Sequence, residues 1–157
     1  MESKIDEYPM WQIAKQEIIK RFEEKGYNTD INHDEIKEWA GIRIVGANEK
    51  ITGREHNKLA LDYVDVLSRI RMPLLKEHNI MLFPIPGKGF QILAPNEQIE
   101  KVPRRHWKKA KREITKAMAA LTYIDEKLLN DENKEIRNRG LIKAGYMLTA
   151  FRKRKIE

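Results

Sequence analysis

The apolar residues of this chain recur at helical spacing almost throughout, and one stretch departs from that spacing. There, two short apolar runs, residues 80–85 and 90–93, lie on either side of Pro86-Gly87-Lys88-Gly89. Proline and glycine favour a tight turn, and short apolar runs beside such a turn are typical of strands. The pattern therefore predicts a mainly α protein with a small β-hairpin, which belongs to the α+β class.

Three helices are predicted before the hairpin. The first, over residues 10–25, carries an apolar stripe at spacings of 3, 4 and 4, formed by Trp11, Ala14, Ile18 and Phe22. The second and third begin at capping boxes, because Asn32 is followed by Glu35 and Thr52 by Glu55. In a capping box two side chains satisfy the backbone N–H groups that a helix start leaves unpaired.

Prolines mark the places where predicted helices stop. Pro73 removes a backbone donor and clashes with the preceding turn, so we expect a break or kink in the third helix near Met72. Pro95 and Pro103 interrupt the chain after the hairpin and indicate a boundary there. Further upstream, residues 42–46 suit either a short strand or an extended turn.

Charge divides the chain near the same boundary. Residues 1–100 hold 14 basic and 17 acidic residues, a net charge of −3, whereas residues 101–157 hold 17 basic and 7 acidic residues, a net charge of +10. Such asymmetry indicates two segments with different roles. We expect one domain over residues 1–96 and a basic helical extension over residues 97–157.

The extension is predicted to be a helical hairpin with a continuous apolar seam. The seam residues alternate at spacings of 3 and 4 and are Trp107, Ala110, Ile114, Ala117, Leu121, Ile124 and Leu128. A turn at residues 130–133 leads into the last helix. The seam packs either inside the monomer or against a second copy of the chain, and the sequence leaves both arrangements open.

Composition excludes several classes of protein. The 157 residues include no cysteine, which excludes a disulfide framework and a thiolate metal site. Because no apolar run is long enough to span a bilayer, we expect no membrane partner. Residues 1–7 precede no apolar stretch, so we expect no signal peptide and a cytoplasmic location.

The order of elements and one motif are shared with a known family. Two helices, a turn, a third helix and a hairpin follow one another over residues 10–94, with a Leu-rich turn at residues 74–80 and Gly87-Lys88-Gly89-Phe90 in the hairpin. In these features the segment resembles a winged helix-turn-helix domain of the kind found in phage, prophage and bacterial regulators. The resemblance implies DNA binding, with the third helix in the major groove.

The resemblance also implies which side chains contact DNA. The N-terminal residues of a recognition helix reach base edges, and here these residues are Arg54, His56, Asn57 and Lys58. A good bidentate pair, such as Arg with guanine or Asn with adenine, contributes about 1–3 kcal/mol of discrimination. Lys88, at the tip of the wing, would contact a phosphate or the minor groove. The same residues also suit a solvated helix start, and Asp62 and Asp65 oppose deep insertion.

The strongest electrostatic feature lies at residues 101–112, which include no acidic residue. On a helix, one stripe about 16 Å long contains Arg105, Lys109, Arg112 and Lys116, and a neighbouring row contains Arg104, Lys108 and Lys111. Like charges four residues apart weaken a helix, and a bound polyanion relieves their repulsion. We therefore predict phosphate contacts here, the alternative being a solvated face opposite the apolar seam.

The sequence contains no recognisable catalytic or metal-binding constellation. Its histidines are scattered, at positions 33, 56, 78 and 106. Asp125-Glu126-Lys127 matches the Asp/Glu-x-Lys triplet of some nucleases, but it falls in the predicted heptad helix, whereas that chemistry needs a strand. We therefore expect a protein that is not an enzyme and that uses no cofactor or metal.

Together these features predict a protein that binds double-stranded DNA, as a monomer or a homodimer. Its role would be that of a sequence-specific transcriptional regulator or a replication-associated factor of phage or mobile-element type. The alternative is a protein-interaction module, such as a phage-encoded inhibitor of a host defence or nucleic-acid enzyme, whose basic helix binds an acidic patch on a host protein. RNA binding is a third hypothesis, weakened because the strands lack paired exposed aromatics for base stacking.

Overall fold

The α+β class is confirmed by the computed structural model, which describes residues 9–153. Residues 1–7, on which the signal-peptide expectation rests, lie outside this part. In chain order the elements are α1 (Met10–Lys25), β1 (Asp30–Asn32), α2 (His33–Trp39), α3 (Gly53–His78), β2 (Leu82–Ile85), β3 (Gly89–Ile92), α4 (Pro95–Thr122), a short 3₁₀ helix (Glu126–Leu128) and α5 (Asp131–Lys153). The chain divides into two compact units, Met1–Gln98 and Ile99–Glu157.

The first unit is built around one apolar core to which three helices and all three strands contribute. Its largest fully buried side chains in these elements are Ile18, Ile31, Ile36, Ile70, Leu74 and Ile92. The predicted stripe of α1 faces this core, since Ala14 is fully buried and Trp11 and Phe22 pack against the cluster. Burying each large aliphatic side chain stabilises the fold by about 1.5–3 kcal/mol.

Both predicted capping boxes are present. At the start of α2, the Glu35 backbone N–H donates to Asn32 Oδ1 (2.8 Å) and the Asn32 N–H donates to Glu35 Oε2 (2.9 Å). At the start of α3, the Glu55 N–H donates to Thr52 Oγ1 (3.2 Å) and the Thr52 N–H donates to Glu55 Oε2 (3.0 Å). Local sequence therefore determines where these two helices begin.

The sheet has three antiparallel strands in the order β1–β3–β2, whereas the sequence predicted a two-stranded hairpin. The additional strand, β1, pairs Ile31 with Phe90 and Asn32 with Gly89. It has three residues and buries only Ile31, so its alternation is too short for sequence reasoning to detect. Residues 42–46, the other candidate strand, form no strand.

Neither Pro73 nor Pro103 ends a helix, so the expected break at Pro73 and the expected interruption at Pro103 are wrong. In α3 Ile70, three residues before Pro73, and Leu74, directly after it, are fully buried. Their burial offsets the roughly 3 kcal/mol that an interior proline costs. α4 begins at Pro95 and continues through Pro103. Pro95 costs little, because it lies in the first turn, where the N–H that it lacks would have no partner within the helix.

The second unit has two long helices and little buried surface. Among its described residues Ala144 is the one buried apolar side chain. The C-terminal end of α4 meets the middle of α5, where Leu121 Cδ1 lies 2.9 Å from the position that a Cβ on Gly140 would occupy. Arg137 adds a hydrogen bond from its Nε to the Leu121 carbonyl (2.6 Å) and an ion pair with Glu126 (2.7 Å).

The predicted heptad helix is too long, because α4 ends at Thr122. Ile124 lies in the following turn and Leu128 in the 3₁₀ helix. The side chain of Asp125 accepts a hydrogen bond from the Lys127 N–H (3.1 Å), which starts a new helical turn instead of continuing the old one. The Asp125-Glu126-Lys127 triplet therefore lies in neither the predicted helix nor a strand.

Candidate nucleic-acid interface

The first turns of α3 present polar side chains to solvent. Arg54, His56, Asn57 and Lys58 are all exposed. The first buried residue of the helix is Val66, more than three turns after the cap at Thr52. The N-terminal part of α3 is therefore available to a ligand, whereas its later turns are packed in the core.

The structure brings together three of the four predicted base-reading residues. Arg54, Asn57 and Lys58 lie three and four positions apart and share one face of α3. His56 lies on another face, where it lines a cleft of 480 Å³ together with His33 and Tyr63. His56 is thus separated from the outward-facing group.

His33 links the hairpin to α3. Its Nδ1 is hydrogen-bonded to Tyr63 Oη (2.7 Å), and its ring meets Phe90 edge-on at a centroid distance of 5.4 Å. Its backbone N–H donates to the Lys88 carbonyl (3.4 Å). Sequence reasoning missed this contact because His33 and Tyr63 are 30 residues apart. In the sequence, the only indication of this contact is that His33 directly follows the capping residue Asn32. Because the capping box already accounts for the start of a helix there, the position of His33 does not by itself indicate a distant partner.

Burial raises the pKa of Tyr63 to about 12. Because the folded pKa is above the ordinary value of 10.0, the protonated phenol stabilises the first unit below pH 10. This contribution is lost as the pH rises from 10 towards 12. We expect the difference in ultraviolet absorbance between the wild type and Tyr63→Phe to show a tyrosine that ionises near pH 12. Ionisation of Tyr63 at pH 10 in the folded protein would contradict this result.

The tip of the hairpin presents Lys88 to solvent. The turn is closed by the Lys88 N–H, which donates to the Ile85 carbonyl (3.1 Å), and Gly87 has a φ of +73°. Gly89 has a φ of +147° and lies against β1. The glycines therefore shape a hairpin that is anchored to β1 through β3 and exposes Lys88 at its tip.

Acidic and apolar side chains follow the basic start of α3. Asp65 is one helical turn beyond Leu61, which is 69% exposed, and it pairs with Arg69 through Nε (2.8 Å). This ion pair offsets part of the repulsion that Asp65 would exert on a phosphate. Contact with a polyanion is therefore best supported in the first two turns of α3.

All seven predicted basic residues of α4 are exposed: Arg104, Arg105, Lys108, Lys109, Lys111, Arg112 and Lys116. Glu113 is the acidic residue among them, and it pairs with Lys116 (3.1 Å) and Arg112 (3.5 Å). The hydrogen bond from Lys116 lowers the pKa of Glu113. Positive charge is therefore partly compensated at the C-terminal end of the stripe and is concentrated towards residues 104–111.

Two searches of residues 9–153 concern metal-ligating side chains and membrane-spanning helices. No group of three or more His, Asp or Glu side chains among them is arranged to hold a metal ion. No helix in this part of the chain is both long and apolar enough to cross a membrane. Comparisons with protein-family models, with curated proteins and with solved structures gave no match.

Proposed function

We propose that the first unit is a winged helix-turn-helix domain and that the protein binds double-stranded DNA with sequence specificity. The observation that carries this proposal is the exposed face of α3 that Arg54, Asn57 and Lys58 share. Guanidinium and amide side chains at a helix N-terminus suit guanine and adenine edges in the major groove. Because the later turns of α3 are packed in the core, these side chains are positioned by a rigid element.

The wing supports the same proposal. Lys88 is exposed at the hairpin tip, and the hairpin is tied to α2 and α3 through His33. A cation on such a turn can bind a phosphate beside the groove that the helix enters. The wing would therefore help to orient α3 without reading sequence.

The basic stripe of α4 would supply affinity that does not depend on sequence. Its cations neutralise phosphates, and each neutralised phosphate adds about 0.9 to the slope of log affinity against log salt. In this proposal α3, in the first unit, recognises the base sequence, and the basic stripe of α4, in the second unit, attracts the phosphates. This division fits a non-enzymatic transcriptional regulator or replication-associated factor of phage or mobile-element type that acts in the cytoplasm.

Fluorescence anisotropy with labelled duplex tests the proposal. The full chain is titrated into duplex, single-stranded DNA and duplex RNA between about 50 and 200 mM salt. We expect the tightest binding to duplex DNA, and an affinity that falls steeply with salt. Absence of duplex binding at the lowest salt, with the protein shown to be folded by circular dichroism, would contradict the proposal.

Asn57→Ala is expected to lower the affinity for the preferred sequence and to leave the affinity for other sequences nearly unchanged. The change removes an amide that would pair with one base, which costs about 1–3 kcal/mol on the preferred sequence and little on others. His56→Ala is the matched control, since His56 is a neighbour on a different face of α3. Measuring the affinity of both variants for the preferred duplex and for a scrambled duplex checks this expectation. An equal loss of preference in both variants would contradict the assignment.

A further inference from the structure

Two large aliphatic side chains are exposed on α3 directly beyond its polar start. Leu61 is 69% exposed and Val64 is 60% exposed, and because they lie three positions apart they are neighbours on the helix surface. Scattered single apolar residues are ordinary on a protein surface, whereas neighbouring ones rimmed by polar side chains can mark an interaction site. The position of this pair on the helix shows which ligand it faces.

Leu61 faces directly away from the core of the first unit. At 100° per residue, its direction is about 180° around the helix from that of Ile70, which is fully buried. On the same scale Arg54 lies about 20° and Asn57 about 40° from Leu61, and Val64 lies about 20° from Asn57. The aliphatic pair therefore continues the outward face that carries the proposed base-reading residues.

The spacing along α3 suits one continuous stretch of major groove. With a rise of 1.5 Å per residue, Leu61 lies about 6 Å beyond Asn57, and Val64 lies about 4.5 Å beyond Leu61. Successive base pairs are about 3.4 Å apart, so each of these steps spans one or two base pairs when the helix follows the groove. A helix that reads a base with Asn57 therefore carries Leu61 over a neighbouring base edge.

Charge limits the apolar contact to these two side chains. Asp65 also lies on the outward face, where its carboxylate pairs with Arg69 (2.8 Å). Phosphates would repel this carboxylate if α3 lay deeper in the groove. Met72 is 50% exposed on the same face but lies about 10 Å beyond Asp65. The contact therefore ends at Val64, and Met72 serves as an internal comparison.

We propose that Leu61 and Val64 contact the 5-methyl groups of thymines, so that the preferred DNA contains A·T pairs beside the base that Asn57 reads. This inference rests on the proposed DNA binding by α3. Thymine is the one base of the four with a methyl group on its major-groove edge, and the other groups recognised there are hydrogen-bond donors and acceptors. An aliphatic side chain would cover those polar groups without pairing them, so it favours thymine at its position.

Uracil in place of thymine tests the proposal, because uracil pairs with adenine in the same way and lacks only the methyl group. Fluorescence anisotropy is measured with the full chain on the duplex preferred in a random-pool selection, and each thymine of that duplex is replaced in turn. We expect an affinity about three- to fivefold weaker at one or two positions, which is the effect of withdrawing one methyl group from an apolar contact.

Leu61→Ala is expected to abolish the difference between thymine and uracil at one of these positions, and Val64→Ala at the neighbouring position. Helical circular dichroism should stay unchanged, because both side chains are exposed and alanine favours a helix. Met72→Ala is the matched control, since it also shortens an exposed apolar side chain on the same face of α3. This variant should keep the full difference at every position.

Two results would overturn the thymine contact and leave DNA recognition by α3 standing. The first is a duplex that is bound specifically and in which uracil has no effect at any position, so that the aliphatic pair serves a contact other than DNA. The second is a uracil effect of equal size in the wild type, Leu61→Ala and Val64→Ala, since the methyl group would then act through DNA shape. A selected pool without an enriched motif would overturn both the proposed function and this inference.

Discussion

Alanine in place of Gly89 is expected to lower the free energy of unfolding of the first unit by about 3 kcal/mol or more. A Cβ at this position would lie 2.2 Å from the Ile31 carbonyl oxygen and 2.7 Å from Asn32 Cα. Both are backbone atoms of β1, so no side-chain rotation relieves the overlap. The φ of +147° adds strain for any residue with a Cβ.

Gly87→Ala is the matched control for this change. Gly87 is in the same turn and also has a positive φ, +73°, but no atom lies within 4 Å of the position that a Cβ would occupy there. Only the backbone penalty applies, about 1–2 kcal/mol. Urea unfolding followed by tryptophan fluorescence measures both variants. Equal losses in the two variants would show that the close approach of β1 to Gly89 does not matter.

Charge reversal of two residues in the basic stripe of α4 is expected to weaken binding to every DNA duplex by about 10- to 100-fold at low salt. The variant is Arg105→Glu with Lys109→Glu. Removing two phosphate contacts should also reduce the salt slope by about 2. Because both side chains are exposed, helical circular dichroism should not change. Anisotropy over a series of salt concentrations measures affinity and slope together.

Lys20→Glu with Lys25→Glu is the control for net charge. These lysines are exposed on α1, which contributes none of the residues assigned to DNA contact, and the substitutions change the charge by the same amount. We expect a smaller loss of affinity and an unchanged slope. If the α1 variant and the α4 variant lose affinity and slope alike, total charge and not the α4 stripe determines binding.

Local sequence signals predicted the elements well. The capping residues Asn32 and Thr52 identified two helix starts, and the proline–glycine turn identified the hairpin, because these features act within a few residues. Tertiary effects were not predictable in the same way. β1 depends on a glycine far along the chain, and α3 continues through Pro73 because Ile70 and Leu74 of the same helix are buried in the core.

In the candidate site, too, local features could be predicted and tertiary contacts could not. Arg54, Asn57 and Lys58 could be predicted because they follow a capping residue at helical spacing. His33 and Tyr63 could not, because their hydrogen bond joins two helices that are distant in sequence. The length of the seam was overestimated because periodicity continues past Thr122, whereas Asp125 and Arg137 satisfy backbone groups where the helix ends.

Selection of bound sequences from a random duplex pool tests the central claim most directly. The full chain is used for several rounds at a salt concentration that suppresses non-specific attraction. We expect one enriched motif, and a weaker preference at one of its positions when Asn57→Ala is used. A bound pool that remains as random as the input would contradict sequence-specific DNA binding by α3.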